Sequence, residues 1–238
     1  MQTLDTLQNA LSNRIRTFFS ELKISCDTGI LEGTDKRFNG YPYIGANYCS
    51  AKKRILFVAL DVGVDECFKD NTYHSFKSRE SIFSDGSLSF NPHIAGLYCS
   101  SLYLLKDDMG YEESWNKLWS NNQYKMVRAI HEAEAYLPRN LMSYVAYLNR
   151  YSFVTVGRTT RGNGNDRFWI NKVSESKFVT DMIRIFDPTV VIFQGKQGIN
   201  NFNIKELKTK SDVYVLSHPS CWQHGADKLQ YIASQLNK

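Results

Sequence analysis

Arg54-Ile-Leu-Phe-Val-Ala-Leu-Asp61-Val-Gly63 holds an unbroken apolar run, set off by Lys52-Lys53 in front and Gly63 behind. An apolar run of this length without polar alternation fits a strand buried on both faces, the pattern of a parallel sheet covered by helices. Three further stretches have a similar outline. Ser143-Tyr-Val-Ala-Tyr-Leu148 is followed by Asn149, Thr189-Val-Val-Ile-Phe193 runs into Gln194-Gly195, and Val213-Tyr-Val-Leu-Ser-His218-Pro-Ser220 ends in a polar turn. In an open α/β sheet, ligand chemistry gathers at the carboxyl ends of the central strands, so Asp61, Asn149 and His218 are candidates for a shared crevice.

Outside these runs the periodicity is helical. Leu4, Leu7, Leu11, Ile15, Phe18, Phe19 and Leu22 form one face of an N-terminal helix over residues 3–22. Helices are predicted at His93–Leu105, Glu113–Trp119 and Gln123–Tyr136, and at Val173–Phe186, which Asp187-Pro188 stops. Another follows Gln194-Gly195, and Gln223–Leu236 closes the chain. The Gly-rich stretch Cys26–Tyr48 reads as ordered loop, and the polar, Ser-rich Val64–Phe90 as a long loop or lid. Strands alternating with helices predict one α/β domain over 1–238: three layers, α/β/α, around a mostly parallel sheet, with an inserted loop and helical region at 64–139.

Composition narrows the function classes. A hydrophobic share of 42% with 22% charged residues excludes a disordered chain. The 14 Tyr, 14 Phe and 4 Trp suit core packing first and base stacking second. The net charge of +5 favours meeting a polyanion. Cys26, Cys49, Cys67, Cys99 and Cys221 are five, widely and irregularly spaced, with no Cys-x-x-Cys and no secretory signal ahead of them, which predicts reduced thiols in a cytoplasmic protein. No apolar stretch reaches bilayer length. The histidines lack metal-ligand spacing, and neither a phosphate-loop pattern nor Gly-x-Gly-x-x-Gly occurs, so neither metal nor cofactor is expected.

Taken in order, Ala59-Leu-Asp61-Val-Gly63, Leu148-Asn149 with a basic loop after it, and His218-Pro-Ser220 resemble the uracil-DNA glycosylase superfamily. Pro42-Tyr-Ile-Gly-Ala-Asn-Tyr48 looks like a lead-in found in distant members, and the passage from Asp187-Pro188 to Gly195 looks like their third crossover. The likeness runs from about Gly40 to the C-terminus, with Val64–Arg139 poorly matched. Two departures stand in the first turn: the family has Gly where this chain has Ala59, and Pro where it has Val62. The cysteine pair of the iron–sulfur branches has no counterpart.

The resemblance implies a hydrolase that frees uracil or another damaged base from DNA, acting as a monomer with water as its only co-reactant. Glycosidic cleavage builds positive charge on the sugar and negative charge on the departing base. Asp61 would stabilise the sugar cation and orient water, and His218 would donate to the base oxygen. Asn149, assisted by Gly63, would read the base edge with one donor and one acceptor. Ser220 and the loop arginines Arg158, Arg161 and Arg167 would hold backbone phosphates, with Lys172 beside them. The same residue types also serve plain structural ends: an Asp capping a backbone N–H, an Asn turning a loop, a His satisfied by a carbonyl, a solvated basic loop. Two other functions are compatible with the pattern, a DNA-binding or regulatory protein that keeps the pocket without cleaving, and a doubly wound protein binding a small phosphorylated ligand.

Overall fold

The structure, a computed structural model, describes residues 2–60, 76, 92–121, 137–156, 169–196, 199–218 and 228–237. Helix α1 (Leu4–Leu22) comes first, then strands β1 (Lys36–Phe38), β2 (Tyr43–Ile44) and β3 (Ile55–Ala59). Helices α2 (Pro92–Met109) and α3 (Glu112–Asn121) precede strands β4 (Val145–Asn149) and β5 (Phe153–Thr155). Helix α4 (Lys172–Phe186), strand β6 (Val190–Gln194), the short helix α5 (Ile204–Leu207), strand β7 (Asp212–Leu216) and helix α6 (Lys228–Leu236) complete the order.

Five strands form a sheet in the order β2-β4-β3-β6-β7, parallel throughout except for β2, which runs antiparallel along β4. Side chains alternate between its faces as a strand requires. Ile55, Phe57, Val145, Val190 and Ile192 pack with α2, α3 and α6, whereas Leu56, Val58, Ala146, Leu148, Val191 and Phe193 pack with α1 and α4. Both faces are therefore apolar and covered, which explains why the central strands read as continuous hydrophobic runs rather than alternating ones. The chain moves from β3 to β4 through helices on one face, then back past β3 to β6 and on to β7 through α4 and α5 on the other. Opposite directions on opposite faces are what a single crossover hand demands.

Local signals set the helix ends. Thr3 and Thr6 cap α1 reciprocally, and Lys23 closes it in the left-handed region at φ 58°. The Asn171 side chain accepts from the Ser174 N–H at the start of α4, and Asp187, at φ 45° just before Pro188, ends that helix. Much of the aromatic surplus is in the core: the rings of Phe18 and Phe178 stack at 4.2 Å, and Phe38 meets Phe19, Phe153 and Phe178 edge-on.

Three strands fall where the sequence predicts loop. The Cys26–Tyr48 stretch contains β1 and β2, and the basic stretch after Asn149 opens with β5. Each has two or three residues, too few for a period to register, and each exists through long-range pairing, β1 with β5 and β2 with β4. Of the helix predicted after Gln194-Gly195, the described part consists of a 3-10 turn at Ile199–Asn201 and then α5. The predicted helix at Gln123–Tyr136 lies outside the described residues, as does the Val64–Phe90 stretch apart from Phe76. Among the described residues no helix is long and apolar enough to cross a membrane.

Gly45 shows how closely β2 is held against β4. A Cβ there would lie 2.2 Å from the Ser143 carbonyl oxygen and 2.7 Å from that of Met142, both immovable backbone. Gly45→Ala is expected to cost at least about 3 kcal/mol, read as a lowered denaturation midpoint; an unchanged midpoint would contradict the close approach.

Candidate functional site

The carboxyl edge of the parallel strands is where polar residues end the apolar runs. In the register of the sheet Ala59 pairs with Asn149, Val58 with Phe193, and Gln194 with Leu216. Ala59, Asn149, Gln194 and Leu216 thus form one row across four strands, on the face shared with Phe57, Ile192 and Tyr214. Pairing continues past the strand ends: the Arg150 N–H donates to the Ala59 carbonyl at 2.8 Å and the Tyr151 N–H to the Leu60 carbonyl at 2.9 Å. On the other side the Gly195 N–H donates to the Leu216 carbonyl at 2.7 Å. Gly195 sits at φ 99°, and a Cβ there would stand 3.7 Å from the Leu60 side chain, so the exits of β3 and β6 touch. The exit of β3 leads to β4 on one side and that of β6 to β7 on the other, making the space between them the switch point of the sheet.

Asn149 is the most informative residue of this edge. It is 3% exposed, and neither its side-chain oxygen nor its nitrogen has a hydrogen-bond partner among the described residues. Buried amides are nearly always satisfied, because each orphaned polar group costs about 1–3 kcal/mol. The amide of Asn149 thus presents one donor group and one acceptor that the described residues leave unused. Gln194, also 3% exposed, lies across Ala59 from it.

His218 stands two residues beyond β7 and is half-buried. The segment before it is held from α6: the Tyr231 hydroxyl accepts from the Ser217 N–H at 2.8 Å and donates to the Ser217 Oγ at 3.1 Å. Asn149 and Leu216 are three strand spacings apart, about 14 Å. The two residues after Leu216 span at most about 7 Å. His218 therefore follows the far strand of the row, with β6 and β3 between its strand and that of Asn149. Of the other residues singled out from sequence, Asp61, Gly63, Arg158, Arg161, Arg167 and Ser220 lie outside the described residues. Leu60, the residue before Asp61, is hydrogen-bonded beside Tyr151, and Lys172 is the first residue of α4, fully on the surface.

Behind the row the crossover from β4 to β5 is unusually polar. Arg150, 1% exposed, is the largest fully buried side chain among the described residues, with its guanidinium 5.1 Å from the centre of the Tyr151 ring. Tyr151 in turn meets Trp169, which brings the start of α4 against this crossover. Glu175, fully buried in the first turn of α4, accepts from the Asn171 N–H at 2.8 Å. Burial pushes its carboxyl up to about 7, while the N–H groups of Asn171, Ile170 and Ser152 pull the other way. A folded value raised above the ordinary 4.5 means that the folded state holds the proton more tightly than the unfolded one. Stability from the neutral form is complete below about pH 4.5 and is lost as pH rises toward and past 7. The difference in unfolding free energy between the native chain and Glu175→Gln is expected to change by about 3 kcal/mol between pH 4 and pH 8, in favour of the glutamine at high pH. Denaturant titrations at the two pH values check this, and a constant difference would refute it.

Sequence reasoning missed Gln194, Arg150, Glu175 and Tyr231. Gln194 carried a usable signal, because it ends an apolar run just as Asp61 and Asn149 do, yet the following Gly195 makes it read as the first residue of a turn. The other three have no local signal, since their burial or bonding comes from chain distant in sequence. No known protein family, curated protein or solved structure matches the chain.

Proposed function

We propose that the chain is a DNA glycosylase that hydrolyses the N-glycosidic bond of uracil or another damaged base, with a fold of the uracil-DNA glycosylase kind. The observation that carries this reading is the buried, doubly unpartnered amide of Asn149 at the carboxyl edge of the sheet. One donor and one acceptor in a nearly closed position match the N3–H and O4 edge of uracil and leave an unsatisfied pair against cytosine. A base reaches such a position only after leaving the stack. The strand order β4-β3-β6-β7 supports the reading, since it aligns the exits toward Asp61, Asn149 and His218 along one edge.

In the proposed reaction water adds its hydroxyl to C1′ as the bond to the base nitrogen breaks, and the water proton ends on the base. Asp61 stabilises the cationic sugar and orients the water, and His218 donates to the base oxygen on which negative charge collects. Arg158, Arg161, Arg167 and Ser220 hold the flanking phosphates.

Incubation with uracil-containing single- and double-stranded oligonucleotides, followed by detection of abasic sites, tests the reading. Abasic sites that depend on Asn149 are the expected result. Ala59 and Val62, the two departures in the first turn, favour one second reading, a protein that binds an extruded base without cleaving. Salt-sensitive oligonucleotide binding with no abasic product would select it.

A further inference from the structure

We propose that Gln194 is a second base-reading residue, whose amide donates to the ring's other carbonyl oxygen from the opposite side of Ala59. This deepens the base-pocket reading and rests on it. The register carries the argument. Asn149 pairs with Ala59 on one side of β3, and Gln194 is the next residue after Phe193, the partner of Val58, on the other. Strand alternation puts all three on the same face of the sheet. Both amides are 3% exposed, and Ala59, itself 5% exposed, stands between them in the row. Leu216, 4% exposed, closes the far end of the row with an apolar wall.

The spacing decides what fits. Asn149 and Gln194 are two strand spacings apart, roughly 9.6 Å. A hydrogen bond of about 2.9 Å at each end leaves about 4 Å between the ligand atoms that receive them. That is the span of a single six-membered ring with its carbonyl oxygens, and it is too narrow for a fused purine. With Asn149 on N3–H and O4, the carbonyl oxygen of a uracil ring left for Gln194 is O2. An amide N–H placed there holds the ring in the plane Asn149 reads, and it strengthens as charge moves onto O2. Gln194 is also one strand nearer to Asn149 than the strand that leads to His218.

The test is a cycle of two ligands and four proteins. Uracil and 4-pyrimidinone, which lacks O2, are titrated by ligand-observed NMR against the native chain, Gln194→Leu and Gln194→Met, with Asn149→Ala as a reference. The native chain is expected to bind uracil about tenfold more tightly than 4-pyrimidinone, as one lost hydrogen bond predicts. Both Gln194 variants should shrink that preference several-fold, any remainder belonging to the His218 donor, while Asn149→Ala weakens both. A preference for uracil undiminished in a folded Gln194 variant overturns the inference and leaves the base pocket standing. If neither ligand binds the native chain, inference and pocket fall together. If the cycle closes as expected but no abasic sites form, the inference holds and the hydrolytic reading fails. A thermal melt of each variant confirms folding, and two replacements of different shape keep a result available should one fail to fold.

Discussion

Replacing Asn149 with leucine is expected to raise the thermal midpoint by about 4–8 °C while abolishing base binding and excision. The two effects have one cause. The amide is 3% exposed and both its polar atoms lack partners, so the folded chain without ligand bears their desolvation. An apolar side chain of similar length removes that cost, worth about 2 kcal/mol after some loss to imperfect packing. The neighbours on its face suit it, since Ala59 beside it in the row is buried and Tyr147 on the same strand is partly buried against the apolar cluster of that face. The lost donor and acceptor leave a base nothing to pair with. Stability gained at the expense of activity is the mark of a residue kept for function. A midpoint that falls by several degrees would instead make Asn149 a structural amide and remove the main support for the base pocket. Differential scanning calorimetry together with the oligonucleotide assay reads both quantities.

His218→Ala and Asp61→Asn are each expected to lower uracil excision by at least about a hundredfold, with the thermal midpoint unchanged within about 2 °C. His218 is half-buried beyond the last strand, where truncation removes little packing. In the proposed chemistry its loss leaves the departing base without a donor as charge develops, an effect on the transition state and thus on kcat. Tyr231→Phe provides a graded companion. It keeps the ring on α6 but removes the hydroxyl's two hydrogen bonds to Ser217, which weakens the hold on the segment leading to His218. A loss of about tenfold in kcat with KM unchanged is expected from such a positioning residue. Equal activity of all three variants and the native chain would remove the His218 and Asp61 assignments.

How far these residues were legible depends on how local their signals are. The run from Ile55 to Leu60 declares a buried strand because nothing in it alternates, and the structure places Ile55–Ala59 at the centre of the sheet. Asn149 and His218 were found by one rule, that a polar residue ending an apolar run lies at a carboxyl edge. Gln194 obeys that rule too and was masked only by Gly195. Glu175 could not be found so, because the first turn of a helix is normally wet; here the crossover from β4 to β5 covers it, and Asn39 joins the same crossover by donating its N–H to the Ser152 carbonyl at 2.7 Å. Tyr231 looks like any aromatic of an amphipathic helix until its hydroxyl meets Ser217.

By itself the chain determined the four apolar strands β3, β4, β6 and β7, the long helices between them and the polar residues that follow their apolar runs, because hydrophobic period and capping are properties of neighbours in sequence. Only the tertiary structure decided that β3 lies between β4 and β6, and hence that Asn149 and Gln194 face each other across Ala59. The two pairings of β3 arise from backbone hydrogen bonds to segments 90 and 135 residues further along the chain, and no periodicity within a segment records its partner. The row of side chains that makes the candidate pocket is a product of that pairing.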